Sequence, residues 1–554
     1  MARSPQTTQK MTSKTTYDYI VIGAGSAGCV VAARLTEDPN TSVLLVEAGS
    51  KDSHPYIHMP LGFLRAMLNP KYSWGYGSEP EPHLNDRRLM LPRGKVLGGS
   101  SSINGMFYMR GHPRDYDTWR QMGCEGWGYA DVLPYFKRME TSWRGAGKYH
   151  GGDGPLQVQA IDTRRLLHDP LMQTAALAGY PVSDDLSGEH PEGFSKGEVT
   201  IDKRGRRSSA YRAYVHPAQR RPNLHLQTDA LTTRVLIENG RACGVEFSHE
   251  GALHQVHAER EVVLAGGTYN SPQLLMLSGI GPAEQLHQHG ITPIVDLPGV
   301  GKNLSEHPNV MMGFAAKEPV TFLKELRYDR AAIWAAQWAL FGNGPFATQI
   351  NSCNILLRTT PDVEQPDIQL MCNPVRMDAN LWFPGLTRQL AHSFQVGVVI
   401  LHPHSRGQVT LRSASPLDSP RVSLNLMASP AEFAMMRRGI REARRIYRSG
   451  PQGELTGEET IPGSTIDSDQ ELDDFIRRAC SVTQHPVGTC SMGMGPDAVV
   501  DPQLKVIGIQ GLRVADASIM PTVPGANTNA SAIMVGEKAA DLLLGRRLPA
   551  EEGV

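Results

Sequence analysis

The chain has 554 residues, 40% hydrophobic and 20% charged, with a formal net charge of -1. That is the composition of a folded globular protein, and the balanced charge gives no reason to expect nucleic acid or an anionic membrane as partner. Seven cysteines, odd in number and irregularly spaced, build neither a disulfide framework nor a zinc site, and no metal is expected. No uninterrupted apolar run reaches the ~18 residues a membrane span needs, so no transmembrane segment is expected. Residues 1–16 are polar and read as a disordered tail and not a signal peptide; a reducing cytoplasm is the expected location.

Tyr19–Ile22 reads as a short buried strand, Gly23–Ala24–Gly25–Ser26–Ala27–Gly28 as a glycine turn, and Ser26–Leu35 as a helix stopped by Pro39. Val43–Val46 is the next strand and ends at Glu47–Ala48–Gly49. The order strand, glycine turn, helix, strand, acid is a βαβ unit for a dinucleotide. Its helix N-terminus offers free N–H groups to a pyrophosphate, and Glu47 stands where a carboxylate accepts ribose hydroxyls.

A proline-punctuated stretch follows to about Asp86. Arg93–Gly94–Lys95–Val96–Leu97–Gly98–Gly99–Ser100–Ser101–Ser102–Ile103–Asn104 then reads as backbone and hydroxyls laid along a polar ligand, and equally as a capped helix start. Residues 224–266 alternate as strands and hairpins around an Asn239–Gly240 turn, and a helix is expected over Ser271–Leu277. Between 311 and 480, Ile368–Met371, Gln395–Leu401 and Gly407–Leu411 predict a second, antiparallel sheet, and Ala431–Arg448 a helix. Trp334, Trp338, Trp382, Phe383 and Phe394 are candidate pocket walls from this region. Its aromatic Ala331–Phe346 stretch is the candidate for peripheral contact with the inner membrane.

Gln484–His485–Pro486–Val487–Gly488–Thr489 holds one histidine in a rigid loop. Gly511–Ile519 reads as a strand ending at Asp516. Asn527–Thr528–Asn529–Ala530–Ser531 opens an apolar helix to about Leu544, with Ser531 expected to cap it. The glycine turn alone also fits nicotinamide, but the Gly98–Asn104 loop and the C-terminal segment favour a flavin.

Together these segments resemble the glucose–methanol–choline oxidoreductase family, in its choline dehydrogenase and FAD-linked alcohol dehydrogenase branch, from Tyr17 to Leu544. Gly94–Asp117 and Gly267–Gly281 match its two signatures. The resemblance implies an α/β (α+β overall) fold: a Rossmann-like FAD-binding domain (17–160, 220–310 and 490–554) beside a discontinuous substrate-binding domain on an antiparallel sheet (161–219 and 311–489). It implies FAD contacts at Gly23, Gly25, Ser26, Ala27, Gly28, Glu47, Ala48, Arg93, Gly98, Gly99, Ser100, Asn104, Gly105, Met106, Val235, Asp516, Ala517, Asn527, Thr528 and Asn529. FAD is expected to be noncovalent, because Ile103 stands where covalent members carry histidine.

His485 is then the expected base and Asn527 its partner, with no histidine after His485 in the sequence. The implied reaction takes a primary alcohol to an aldehyde, the proton going to His485 and the hydride to flavin N5. Electrons pass on to a quinone or other carrier. Oxygen as acceptor, and non-redox lyase or photodecarboxylase chemistry, are the alternatives. Gln484 departs from the aromatic residue usual before the histidine and makes the substrate pocket more polar.

Overall fold

The computed structural model describes residues 14–387 and 389–554. Of the expected tail, residues 1–13 lie outside the described residues. Thr16 does not belong to a tail, because it opens the strand Thr16–Ile22 and pairs with His257.

Four apolar residues in a row at Val43–Val46 are all buried, as a strand covered on both faces requires. This strand runs parallel to Thr16–Ile22 on one side and to Leu224–Gln227 on the other. Thr16–Ile22 is in turn parallel to Ala252–Leu264, which also takes Leu512–Val514 as a parallel neighbour. Ala252–Leu264, Arg241–His249 and Ala230–Glu238 form an antiparallel meander, completing a seven-stranded mixed sheet. Its Asn239–Gly240 turn has φ of 50° and 76°, the left-handed pair that a two-residue hairpin demands.

The second sheet also has seven strands and is antiparallel throughout, with Pro308–Ala316 and Ser393–Ile400 at its centre. Strand period 2 gives it two different faces. Val310, Met312, Leu370, Cys372, Val396 and Val398 are buried in a core with the helix Pro430–Tyr447, while Asn309, Met311, Met371 and Asn373 line a cavity. That helix starts one residue before its expected range because Ser429 caps it, accepting from the Ala431 N–H at 3.3 Å in a capping box with Glu432.

Gly407–Leu411 does not join the second sheet. Gln408–Thr410 pairs with Arg421–Ser423 as a separate ribbon, because Gly407 exchanges backbone hydrogen bonds with Leu304 and Val409 donates to Gly301. The helix expected over Ser271–Leu277 begins earlier, at Gly267, where Asp516 accepts the Gly267 N–H at 2.9 Å.

The packing crosses the expected segment boundaries. Tyr76, Leu84, Leu89 and Leu91 pack in the second core, and Ala210–Val215 in the first. Long-range packing sorts these residues, and their local pattern carries no trace of it. Among the described residues no helix is long and apolar enough to cross a membrane.

Candidate active site

The first strand stops at a glycine turn, and the helix Ser26–Leu35 starts behind Gly25 with no side-chain cap. Its leading N–H groups are therefore left for a ligand, with the positive helix end behind them. A Cβ on Gly28 would lie 1.9 Å from the Gly23 carbonyl oxygen, whereas one on Gly25 would meet only Ala265 O at 3.9 Å. Gly28 thus seats helix on strand, while Gly25 keeps the backbone open towards the cavity. Glu47 accepts from Ala24 N and Gly49 N, both at 2.8 Å, and burial pushes its carboxyl up to about 7. An open glycine turn, an uncapped helix start and a buried acid together suit the pyrophosphate and ribose of FAD.

A cavity of about 750 Å³ runs from this turn to His485, and every residue expected to touch FAD lines it except Gly28, Gly98 and Val235. Gly98 instead shapes the turn under Gly99–Ser102, its carbonyl accepting from Ser101 Oγ at 2.6 Å. Val235 N is satisfied by Ser278 Oγ at 2.9 Å, and its strand shows Ala230, Leu231 and Thr232 to the cavity. Asp516 lines the cavity with a committed carboxylate: Ser518 N, Gly267 N and Ser271 Oγ donate to it at 2.8, 2.9 and 2.6 Å. It therefore ties its own turn to the start of the helix Gly267–Leu277.

The C-terminal helix is Asn529–Leu543, so Ser531 is not its cap but sits inside its first turn. The Ser531 hydroxyl is instead 2.8 Å from Tyr116 OH, and Thr528 in the cap position makes no side-chain cap. The leading N–H groups stay free, with Thr528, Asn529 and Ala532 lining the cavity.

At the other end, His485 Nε2 is 3.0 Å from Asn527 Nδ2. An amide nitrogen only donates, so Nε2 is the acceptor and the ring proton sits on Nδ1. Nδ1 is 2.8 Å from Thr483 Oγ1 and 3.1 Å from His307 Nδ1, the two rings meeting edge to face. Glu306 Oε1 accepts the backbone N–H of His485 at 2.7 Å and of His307 at 2.9 Å, clamping the two histidine backbones together.

Burial, and then the Arg93 charge, push the His485 imidazole down to about 3, so it is neutral across the physiological range. Burial also holds His307 well below the usual histidine range. The Glu306 carboxyl is pushed up to about 7 by burial, against the Arg93 guanidinium. Arg93 donates to both Gln484 O and Oε1, at 2.9 and 3.0 Å, and holds Gln484 at φ 69° in the cavity wall.

The aromatic walls expected from the second region are elsewhere. Trp334, Trp338 and Trp382 donate to Glu325 Oε2, Gly205 O and Leu323 O, Phe394 packs on Tyr447, and Phe383 reaches the surface. Trp74, Tyr76 and Tyr269 line the cavity in their place.

Sequence reasoning missed Glu306, His307, Arg207 and Asp115. The His307–Pro308 pair repeats His485–Pro486, but so do His54–Pro55, His112–Pro113, His190–Pro191, His216–Pro217 and His402–Pro403, so the dipeptide singles out none of them. Arg207, buried, donates to Asn104 O and Oδ1 at 2.7 and 2.8 Å and fixes the Gly99–Asn104 loop. Asp115 Oδ2 accepts Gly525 N at 2.8 Å, two residues before Asn527. No local pattern marks either one.

Comparison with known proteins agrees with this geometry. Sequence models described as GMC oxidoreductase match residues 17–309 and 403–536. An oxygen-dependent choline dehydrogenase of Sinorhizobium fredii is 45% identical over 96% of each chain. Among solved structures, a pyridoxine 4-oxidase from Mesorbium loti superposes with TM-score 0.85 at 30% identity, over 95% of this chain and 98% of that one. A formate oxidase variant of Aspergillus oryzae, studied for its FAD modification, gives 0.89 at 30%, over 97% and 99%. With the dinucleotide cradle and the histidine–asparagine pair on one cavity, the chain belongs to the GMC oxidoreductase family of FAD-dependent enzymes acting on CH–OH donors.

Proposed function

We propose that His485 is the base and Asn527 the hydrogen-bond donor in the oxidation of a primary alcohol to an aldehyde, with FAD held noncovalently. The observation that carries this reading is the Asn527 Nδ2 to His485 Nε2 contact of 3.0 Å, on a buried imidazole whose Nδ1 is already partnered. Bound FAD supplies the hydride acceptor. His485 Nε2 takes the hydroxyl proton, and Asn527 steadies the developing alkoxide. Arg93, near His485, adds positive charge that favours the alkoxide. Glu306 and His307 keep the imidazole in the productive tautomer and angle. Ile103 lines the cavity as an unreactive hydrocarbon, which supports noncovalent binding.

His485→Ala should lower anaerobic flavin reduction by ~10²–10⁴-fold while FAD stays bound. Unchanged reduction would overturn the assignment.

The electrons are proposed to leave to a quinone or other carrier. In support, the helix Tyr328–Phe341 buries only Ala331 and exposes Ile333, Leu340 and Phe341, an apolar surface suited to peripheral membrane contact. The relatives' name points to oxygen instead. Oxygen uptake with substrate, against reduction of a soluble quinone, decides between the two.

A further inference from the structure

Choline carries a quaternary ammonium, and a buried cation needs a carboxylate, an open aromatic face or both. Three carboxylates line the cavity, and none stands on the wall beside His485. Glu47 is bound into the dinucleotide turn, Asp516 is committed to three internal donors, and Asp418 is exposed on a surface loop. Glu306, the acid nearest the histidine, lies behind the His485 backbone and does not line the cavity.

Among the aromatic residues of the wall, Phe63 and Phe107 pack in an apolar cluster with Met106, and two of the larger rings already face cations. Lys95 Nζ sits 4.6 Å from the Trp74 ring, whose plane stacks on Tyr76 at 5.7 Å, and Arg93 lies 6.0 Å from Tyr269. The chain's own cations thus face Trp74 and Tyr269, and Arg93, Arg87 and Arg88 line the cavity with positive charge that repels a ligand cation.

What the second sheet offers is amide and thioether. Asn309 and Met311 on one strand, and Met371 and Asn373 on another, face the cavity, with Gly397 between the two methionines in register. Asn309 is 8% exposed and its Oδ1 has no hydrogen-bond partner. A buried acceptor left unpaired costs free energy that a donor on the substrate recovers. Asn309 stands two residues beyond His307, about 7 Å along the chain at strand rise, and His307 touches His485.

We infer that this enzyme takes an uncharged primary alcohol carrying a second hydrogen-bonding group, held by Asn309, and that it discriminates against quaternary ammonium alcohols. The inference rests on the reading of the cavity as an alcohol-oxidising site.

The test mixes the FAD-loaded enzyme anaerobically with choline, with its uncharged isostere 3,3-dimethylbutan-1-ol, and with a neutral diol, propane-1,3-diol. Binding is read separately from perturbation of the flavin spectrum by tetramethylammonium and by 2-methylpropan-2-ol, neither of which can be oxidised here. Reduction by the isostere should exceed that by choline at least about tenfold, and the uncharged analogue should bind more tightly. Asn309→Asp should shift the ratio towards choline about tenfold. Asn309→Ala, the fallback if that variant does not fold, should raise the KM for the diol relative to the isostere about tenfold. Preference for choline with tighter tetramethylammonium binding would overturn the inference and leave alcohol oxidation standing. No reduction by any of the three would remove both.

Discussion

The Nδ1 atoms of His307 and His485 lie 3.1 Å apart, although 178 positions separate the two residues in the chain. Two nitrogens at that distance must share one proton, and the Asn527 contact assigns it to His485. His307 therefore accepts, and its own proton stays on Nε2. The pair holds His485 Nε2 deprotonated and aimed into the cavity. His307 is a positioning residue, and His307→Ala should lower kcat about 10–100-fold with KM little changed. His307→Asn, which can still accept at that point, should recover part of the loss. Equal losses in both variants, or a change in KM alone, would refute the role.

Glu306 carries a pH signature. Burial raises its folded value to about 7, above the 4.5 of the unfolded chain, so the folded state binds the proton more tightly between those limits. Stability contributed by the protonated acid is fully present below about 4.5 and is lost as pH rises through about 7. Glu47 and Asp52 are also raised to about 7 and steepen the same slope. The difference between wild type and Glu306→Gln isolates Glu306. Urea unfolding at pH 5 and at pH 8 should show the wild type losing more than the variant, by up to about 3 kcal/mol.

The two glycines at the dinucleotide turn should fail differently. At Gly28 an added methyl would stand 1.9 Å from Gly23 O, so Gly28→Ala should fail to yield folded protein. At Gly25 the methyl meets nothing nearer than 3.9 Å, so Gly25→Ala should fold and lose its yellow colour. Flavin content and circular dichroism of the purified variants read the two outcomes.

Asp115 should matter to Asn527 through the backbone. Its Oδ2 accepts both Gly525 N and His112 N at 2.8 Å, and its Oδ1 sits 2.9 Å from His402 Nε2. Asp115→Asn removes the charge and leaves one oxygen acceptor where two now serve Gly525 N, His112 N, His402 and Gln365 Nε2. It should lower kcat about tenfold and lower the unfolding temperature, with bound FAD retained. A variant with unchanged kcat would show that the loop needs no such tether.

Much of this molecule is legible in local pattern. The glycine turn with its flanking strands, the acid at Glu47, the Asn239–Gly240 hairpin and the Gln484–Thr489 loop each depend on residues close in sequence, because turns and caps are set by neighbouring backbone angles. Ser531 shows the limit of such reasoning: serine caps helices well, yet this hydroxyl turns inward because Tyr116 waits there from 415 positions away.

The sequence by itself determined the family, the cofactor cradle and the two groups, His485 and Asn527, proposed to handle the proton. Tertiary structure alone decided what surrounds them. His307 reaches His485 because Pro308 pairs with Val482 across two strands. Met311 and Met371 line the pocket because sheet register determines which alternate side chains face it, while Trp334 and Trp338 leave it with their helix. Such contacts arise from pairing between distant segments, and no window of neighbouring residues carries the energy that selects them.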